Sequence, residues 1–197
     1  DPEMSRGLGD VYKRQIYILL TSLTFLVVGC QNESEEIRLI NQAERLFDAY
    51  PDSVITTLDS IPLPEEMSPR LVARWCMLYA RAADKIEDEM PYTNQLEIAL
   101  KYYQKKKMRE EEAEIGLYLG RSYVEDKEYE KAMRAYSDAL EVALAIKDYN
   151  RAGYICSYMG DLYEVDLRYI LAAEKYKESG KYFHLANNTT SYVLSLI

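Results

Sequence analysis

Leu119-Gly120-x-x-Tyr123, followed by Ala132-x-x-x-Tyr136-x-x-Ala139, recurs as Met159-Gly160-x-x-Tyr163 followed by Ala172-x-x-x-Tyr176-x-x-Ser179. Every column is displaced by 40 residues. Self-similarity at a fixed period of this size marks an array of stacked units, and it restricts the fold before any other reading. The columns share one physical reading. Gly120 and Gly160 fall inside helical runs, where glycine costs about 1 kcal/mol against alanine. That cost is rational where a neighbouring helix crosses and leaves no room for a Cβ. Ala132 and Ala172 take the matching part on a second helix, and Tyr123, Tyr136, Tyr163 and Tyr176 fill the space beside the close contacts. These eight residues are expected in the core and not on a ligand.

The order of a small residue after an apolar one, tyrosine three later, alanine nine beyond and an aromatic four further on resembles the tetratricopeptide repeat. The resemblance implies an all-α fold, an α-solenoid of antiparallel helix hairpins that pack through these columns. It also implies a role in holding other proteins, without chemistry. A period of 40 exceeds the roughly 34 typical of such repeats. The extra length is expected in the second helix and the turn after it, around Ala145 to Asn150. A degenerate copy lies 40 residues upstream, where Ala73 to Arg81 aligns with Ala113 to Arg121 and Ala99-Leu100 with Ala139-Leu140. There Ala80 holds the small column, Ala83 stands in place of tyrosine, and Tyr92 stands in place of the second-helix alanine.

Before the array, residues 35–66 read as a helical hairpin. Ile37, Ile40, Ala43, Leu46 and Phe47 share one helical face. Tyr50-Pro51-Asp52-Ser53 ends that helix and opens another. Ile61-Pro62-Leu63-Pro64 is an extended connector, because a residue before proline is pushed out of the helical region. The array is expected to occupy residues 67–197, with Asn187 to Ile197 starting a further first helix, so the chain is expected to be a fragment of a longer protein. No segment alternates with period two, and the chain reads as all-α from Glu35 onward.

The first 34 residues divide differently. Residues 1–15, through Gly9-Asp10-Val11-Tyr12-Lys13-Arg14-Gln15, resemble the translated end of a sequencing adapter and are set aside as a non-native tail. Residues 16–29 are apolar, too short to span a bilayer as a helix and of the length of a signal-peptide core. Leu26-Val27-Val28-Gly29-Cys30 resembles the bacterial lipobox, which implies lipid attachment at Cys30, with residues 30–34 as lipidated cysteine and tether. Glutamine follows that cysteine, which in such lipoproteins implies the outer membrane. The overall style is similar to that of Bacteroidota lipoproteins. The expected localisation is therefore the cell envelope, through a lipid anchor in the membrane.

The chain carries a net charge of −9. Removing residues 1–29 leaves that value unchanged, since Asp1, Glu3 and Asp10 go with Arg6, Lys13 and Arg14. Such a surface repels phosphate backbones, so no nucleic-acid partner is expected for this segment. The basic run Lys101 to Lys107 reads as a helix end, followed by the acids of the next helix start. Cys76 and Cys156 share a column two repeats apart, too far for a disulfide, and are expected to be free buried thiols. His184, the one histidine, has no second ligand at metal spacing, and no catalytic set or phosphate loop can be assembled. No cofactor, metal or enzymatic activity is expected.

The resemblance implies that first helices line a groove for a protein or peptide ligand. Its columns hold Arg74, Glu114 and Tyr154; Met77, Leu117 and Ser157; Leu78, Tyr118 and Tyr158; and Arg81, Arg121 and Asp161. Arg74, Arg81 and Arg121 suit carboxylates, while Tyr118 and Tyr158 offer flat contacts. Two readings stand for the arginines: a partner's carboxylates, or internal acids such as Glu114 and Asp84. Two functions also stand. One is a lipoprotein scaffold. The other is the sensor portion of a transmembrane transcriptional regulator, marked by a downstream apolar span and a basic helix-turn-helix.

Overall fold

The computed structural model describes residues 35–62 and 64–195. Residues 1–34 lie outside that range, and with them the tail, the apolar core and Cys30. Among the described residues all regular structure is helical. The order is α1 (35–46), α2 (Pro51–Asp59), a single 3-10 turn (Pro64–Glu66), α3 (Pro69–Ile86), α4 (Thr93–Lys106), α5 (Arg109–Glu125), α6 (Tyr129–Ala145), α7 (Tyr149–Val165), α8 (Tyr169–Leu185) and α9 (Thr189–Leu194). From α2 to α9 each helix packs on its sequence neighbours, most extensively α5 on α6 and α7 on α8. Helix α3 also touches α5, and α5 touches α7, whereas among the described residues α4 does not touch α6, nor α6 α8. The result is a stack of helices with one continuous core.

Local sequence explains where the helices begin. Pro51 and Pro69 take first-turn positions, where a missing N–H leaves no bond unmade. Glu110, Glu111 and Glu112 open α5, and Lys105 and Lys106 close α4, each complementing a helix dipole. Asp148 caps α7 by accepting the Arg151 N–H at 3.0 Å.

The helix ends are less visible in the sequence. Lys107, Lys127, Lys147, Leu167 and Asn187 are all left-handed, at φ 56, 60, 62, 58 and 57°. At each, two backbone bonds close the last turn. Lys127 N–H donates to the Val124 carbonyl at 2.9 Å and Glu128 N–H to the Tyr123 carbonyl at 2.8 Å, and the other four turns repeat the pattern. None of these residues is glycine. Helix starts from Arg109 through Tyr129, Tyr149 and Tyr169 to Thr189 are evenly spaced, and α5 and α6 are both 17 residues long. The expectation that surplus length sits in α6 and its following turn is therefore corrected. The turn from Ile146 to Asp148 has the same length as its neighbours, and the two helices share the period equally.

The repeat columns are buried where two helices meet. A Cβ added to Gly120 would fall on the Tyr136 ring, and one added to Gly160 would come within 2.6 Å of the Tyr176 ring. A Cβ on Gly116 would lie 3.0 Å from that of Ala139, so the contacts climb α5 as they descend α6. Ala132 and Ala172 are fully buried, and Tyr123 is buried in the core. In the degenerate copy the sizes trade places: Ala80 and Leu96 occupy the positions of Gly120 and Tyr136, and both are fully buried. Further along, a Cβ added to Gly153 would come within 2.7 Å of the Phe183 ring, and Tyr103 donates its hydroxyl to the Ala73 carbonyl at 3.0 Å. Close packing constrains the sum of the two side chains more than either one.

Tyr92 does not take the second-helix alanine's place inside a helix. It precedes α4 and is 76% exposed. Pro91 pushes the residue before it out of the helical region, so α4 starts late. The displaced segment docks on α5 instead: Met90 N–H donates to the Glu125 carboxylate at 3.0 Å, and Ser122 Oγ donates to the Pro91 carbonyl at 2.9 Å. Cys76 and Cys156 are free and buried.

Candidate functional site

The odd-numbered helices place the expected groove residues on one face, and that face is tied together by charge. Arg81 on α3 donates two hydrogen bonds to the Glu114 carboxylate on α5, at 2.6 and 2.7 Å. Arg151 on α7 reaches the same carboxylate at 3.1 Å and also pairs with Asp148. Arg121 on α5 pairs with Asp84 on α3. Arg74 donates to Asn41 and to Glu44 on α1, each at 2.8 Å. Along α3 and α5 these partners rise in step, 81 with 114 and 84 with 121, so the two helices point the same way.

Electrostatics follow from this geometry. Burial pushes the Glu114 carboxyl up, but the hydrogen bonds and charge of Arg81, with Arg151 and Tyr118 behind it, outweigh burial and hold it below the ordinary range. Its bond to Arg81 in turn raises the guanidinium. On α7 the balance reverses. Burial raises the Asp161 carboxyl, and the Tyr176 hydroxyl, 2.7 Å away, only partly offsets it.

The two tyrosines proposed as flat contacts have separate fates. Tyr118 is buried and points its hydroxyl at Glu114, 3.4 Å away, so it presents little surface to a guest. Tyr158 is half-buried, stacks on Tyr136 with ring centres 5.9 Å apart, and lies under the Arg121 guanidinium at 5.7 Å. Gly120, Tyr123, Ala132, Tyr136, Gly160, Tyr163, Ala172 and Tyr176 belong to the hairpin interiors, with Tyr163 and Tyr176 only half-buried.

Sequence reading missed Arg151 as the second partner of Glu114. It also missed an open pocket of about 740 Å³ where Arg70, Arg74, Met77, Arg81, Tyr102 and Lys106 come together. Its next neighbour on the same face, about 370 Å³, is lined by Arg81, Glu114 and Arg151 with acids of α5. The usable signal was charge complementarity at separations of 33 and 37 residues, one period less two turns or one turn of helix.

Among the described residues no group of His, Cys, Asp and Glu could hold a metal ion, and no helix is long and apolar enough to cross a membrane. His184 faces the Tyr192 ring, 5.4 Å between centres. Burial raises the Cys156 thiol to about 12, and Cys76 moves the same way for the same reason. No protein-family model matches the chain, and no curated protein matches it.

Proposed function

We infer that the chain is a non-catalytic scaffold, a solenoid of antiparallel hairpins of tetratricopeptide type whose odd helices receive a protein or peptide. The contact pattern carries this reading. Helix α3 touches α5 and α5 touches α7, while among the described residues the even helices are held apart, which is how a stack curves with its odd helices on the inside. Pairings of Gly116 with Ala139 and Gly120 with Tyr136 support opposite directions within a hairpin. Short left-handed turns support the same geometry, because three residues span roughly 10 Å and cannot return the chain along a 17-residue helix. The lipobox-like sequence at Cys30 supports placing the scaffold in a bacterial envelope as a lipid-anchored protein.

A guest in this groove competes with internal acids for the arginines. Arg121 is open to such competition, because its Asp84 partner is half-exposed. A salt bridge of that kind contributes about 1 kcal/mol or less, so a well-placed partner carboxylate displaces it. The test is capture of polypeptides from the source cells by the full chain and by its Arg121→Glu variant, with helix content checked by circular dichroism. Loss of captured polypeptide at unchanged helix content is expected. Equal capture by both proteins removes the groove assignment.

A further inference from the structure

Twelve large hydrophobic residues are exposed among the described ones, and seven of them crowd one edge of the stack: Tyr50, Tyr92, Tyr129, Val165, Leu167, Tyr169 and Ile170. This edge is made by the turns that lead from an odd helix to the next even one. Contacts bring the first three of those turns together. Lys85 Nζ lies 4.0 Å from the centre of the Phe47 ring, Met90 bonds Glu125, and Thr93 Oγ1 donates to Asp126 at 3.3 Å.

One exposed tyrosine opens each even helix. Tyr50 and Tyr92 precede α2 and α4, Tyr129 and Tyr169 begin α6 and α8, and they are 62, 76, 37 and 62% exposed. Neighbouring hairpins do not cover them, since Tyr92 and Tyr129 face solvent with hairpins in place on either side.

The same edge holds almost all the net charge. Residues 47–52, 87–92, 125–130 and 165–170 contain ten acids and two bases, a net −8, against −9 for the whole chain. Of those ten acids only Glu128 is held in a salt bridge among the described residues. The opposite edge, residues 60–69, 105–110, 145–150 and 185–190, contains five bases and four acids. Polarity of this kind steers a cationic partner to one side of the molecule.

We propose that the tyrosine-bearing edge docks a basic, arginine-containing polypeptide segment. Tyrosine faces attract guanidinium groups more effectively than ammonium groups, and carboxylates beside them accept the guanidinium fork. The surface is separate from the odd-helix groove, so the two assignments fail independently. Phosphate-bearing partners are repelled by the edge.

The experiment titrates the full chain with fluorescent oligoarginine and with oligolysine of equal length, read by anisotropy at low and physiological salt. Oligoarginine is expected to bind several-fold tighter. Replacing Tyr92, Tyr129 and Tyr169 by serine is expected to weaken oligoarginine about tenfold or more, leaving oligolysine binding and helix content unchanged. Arg121→Glu is expected to leave both titrations unchanged. Equal affinity for the two peptides, or no loss in the triple variant, overturns the proposal and reduces the edge to general attraction by a −9 chain. Self-association of the wild-type chain in sedimentation, abolished by the triple variant, overturns it in favour of a second copy that brings its Lys105 to Arg109 edge. Binding of neutral oligosaccharide at the tyrosines, insensitive to salt, overturns it in favour of a glycan.

Discussion

The hairpins α5–α6 and α7–α8 share one glycine–tyrosine pairing and are enclosed to different degrees. Tyr136 is 1% exposed, because Tyr158 of the following hairpin stacks over it. Tyr176, one period later, is half-buried, with its hydroxyl on Asp161. Tyr123 and Tyr163 differ in the same sense. Two full helices follow α5–α6, whereas only the six residues of α9 are described after α8. A hairpin's own sequence therefore selects which side chains meet, and the next hairpin sets how tightly they are held. Stability in such an array is partly a property of interfaces between units.

The largest expected effect tests that division. In Gly120→Ala the new methyl overlaps a ring that cannot swing away, since Tyr136 is fixed by Tyr158. Overpacking costs about 1–3 kcal/mol, partly offset by alanine's better helix propensity, for a net loss of about 1–2 kcal/mol. In Gly160→Ala the half-exposed Tyr176 ring can turn outward, and the propensity gain brings the net change to about zero. Urea unfolding followed by helix signal measures both. Equal losses at the two sites would show that the hairpin alone sets its own rigidity.

A close contact at Gly120 was legible because glycine inside a helix is costly unless one requires it, but its partner was not: Ala132 was expected there and the Tyr136 ring takes the place. The degenerate copy was harder, since Ala80 with Leu96 keeps the summed volume while changing both residue types. Turn positions were invisible: Lys127, Lys147 and Leu167 adopt a conformation that sequence rules assign to glycine or asparagine. On the odd-helix face, sequence reading named Glu114 and Asp84 among the internal acids open to Arg81 and Arg121, but not which pairs with which, nor that Arg151 shares Glu114. Glu114 lies in Arg74's column, and only the offset between columns brings it under Arg81. The edge tyrosines were hidden because a repeat reading searches for what is buried.

Acid stability separates Glu114 from Asp161 by sign. Glu114 on α5 has a lowered carboxyl, so its stabilisation is complete above the ordinary carboxylate range and is lost as pH falls through its lower folded value. Asp161 on α7 is raised, so its contribution is present at low pH and is lost as pH rises through its folded value. Titrating stability downward from neutrality should first relieve Asp161 and then, below the ordinary range near 4.5, remove the Glu114 contribution. Glu114→Gln is expected to be weaker at neutral pH and to lack much of the acid-limb decline. Asp161→Asn is expected to keep the decline and lose only part of the earlier gain, since burial raises the Glu125 and Asp59 carboxyls as well. Unfolding midpoints between pH 3 and 7 give the answer. A Glu114→Gln profile parallel to wild type would show that this cluster does not couple to folding.

The smallest effect asks where the two hairpins should not differ. Lys127 and Leu167 end α5 and α7 at φ 60 and 58°, with the same pair of closing hydrogen bonds. A left-handed residue with a Cβ is strained by about 1 kcal/mol, and glycine relieves it at an entropic cost of a few tenths or more. Lys127→Gly and Leu167→Gly are therefore each expected to gain about 0.5 kcal/mol. The two gains should match, because the strain lies in the backbone turn and not in the packing that distinguishes Tyr136 from Tyr176. If Leu167→Gly gained clearly more, its exposed side chain would carry a cost beyond its backbone, and the turn could no longer be treated as independent of its surface.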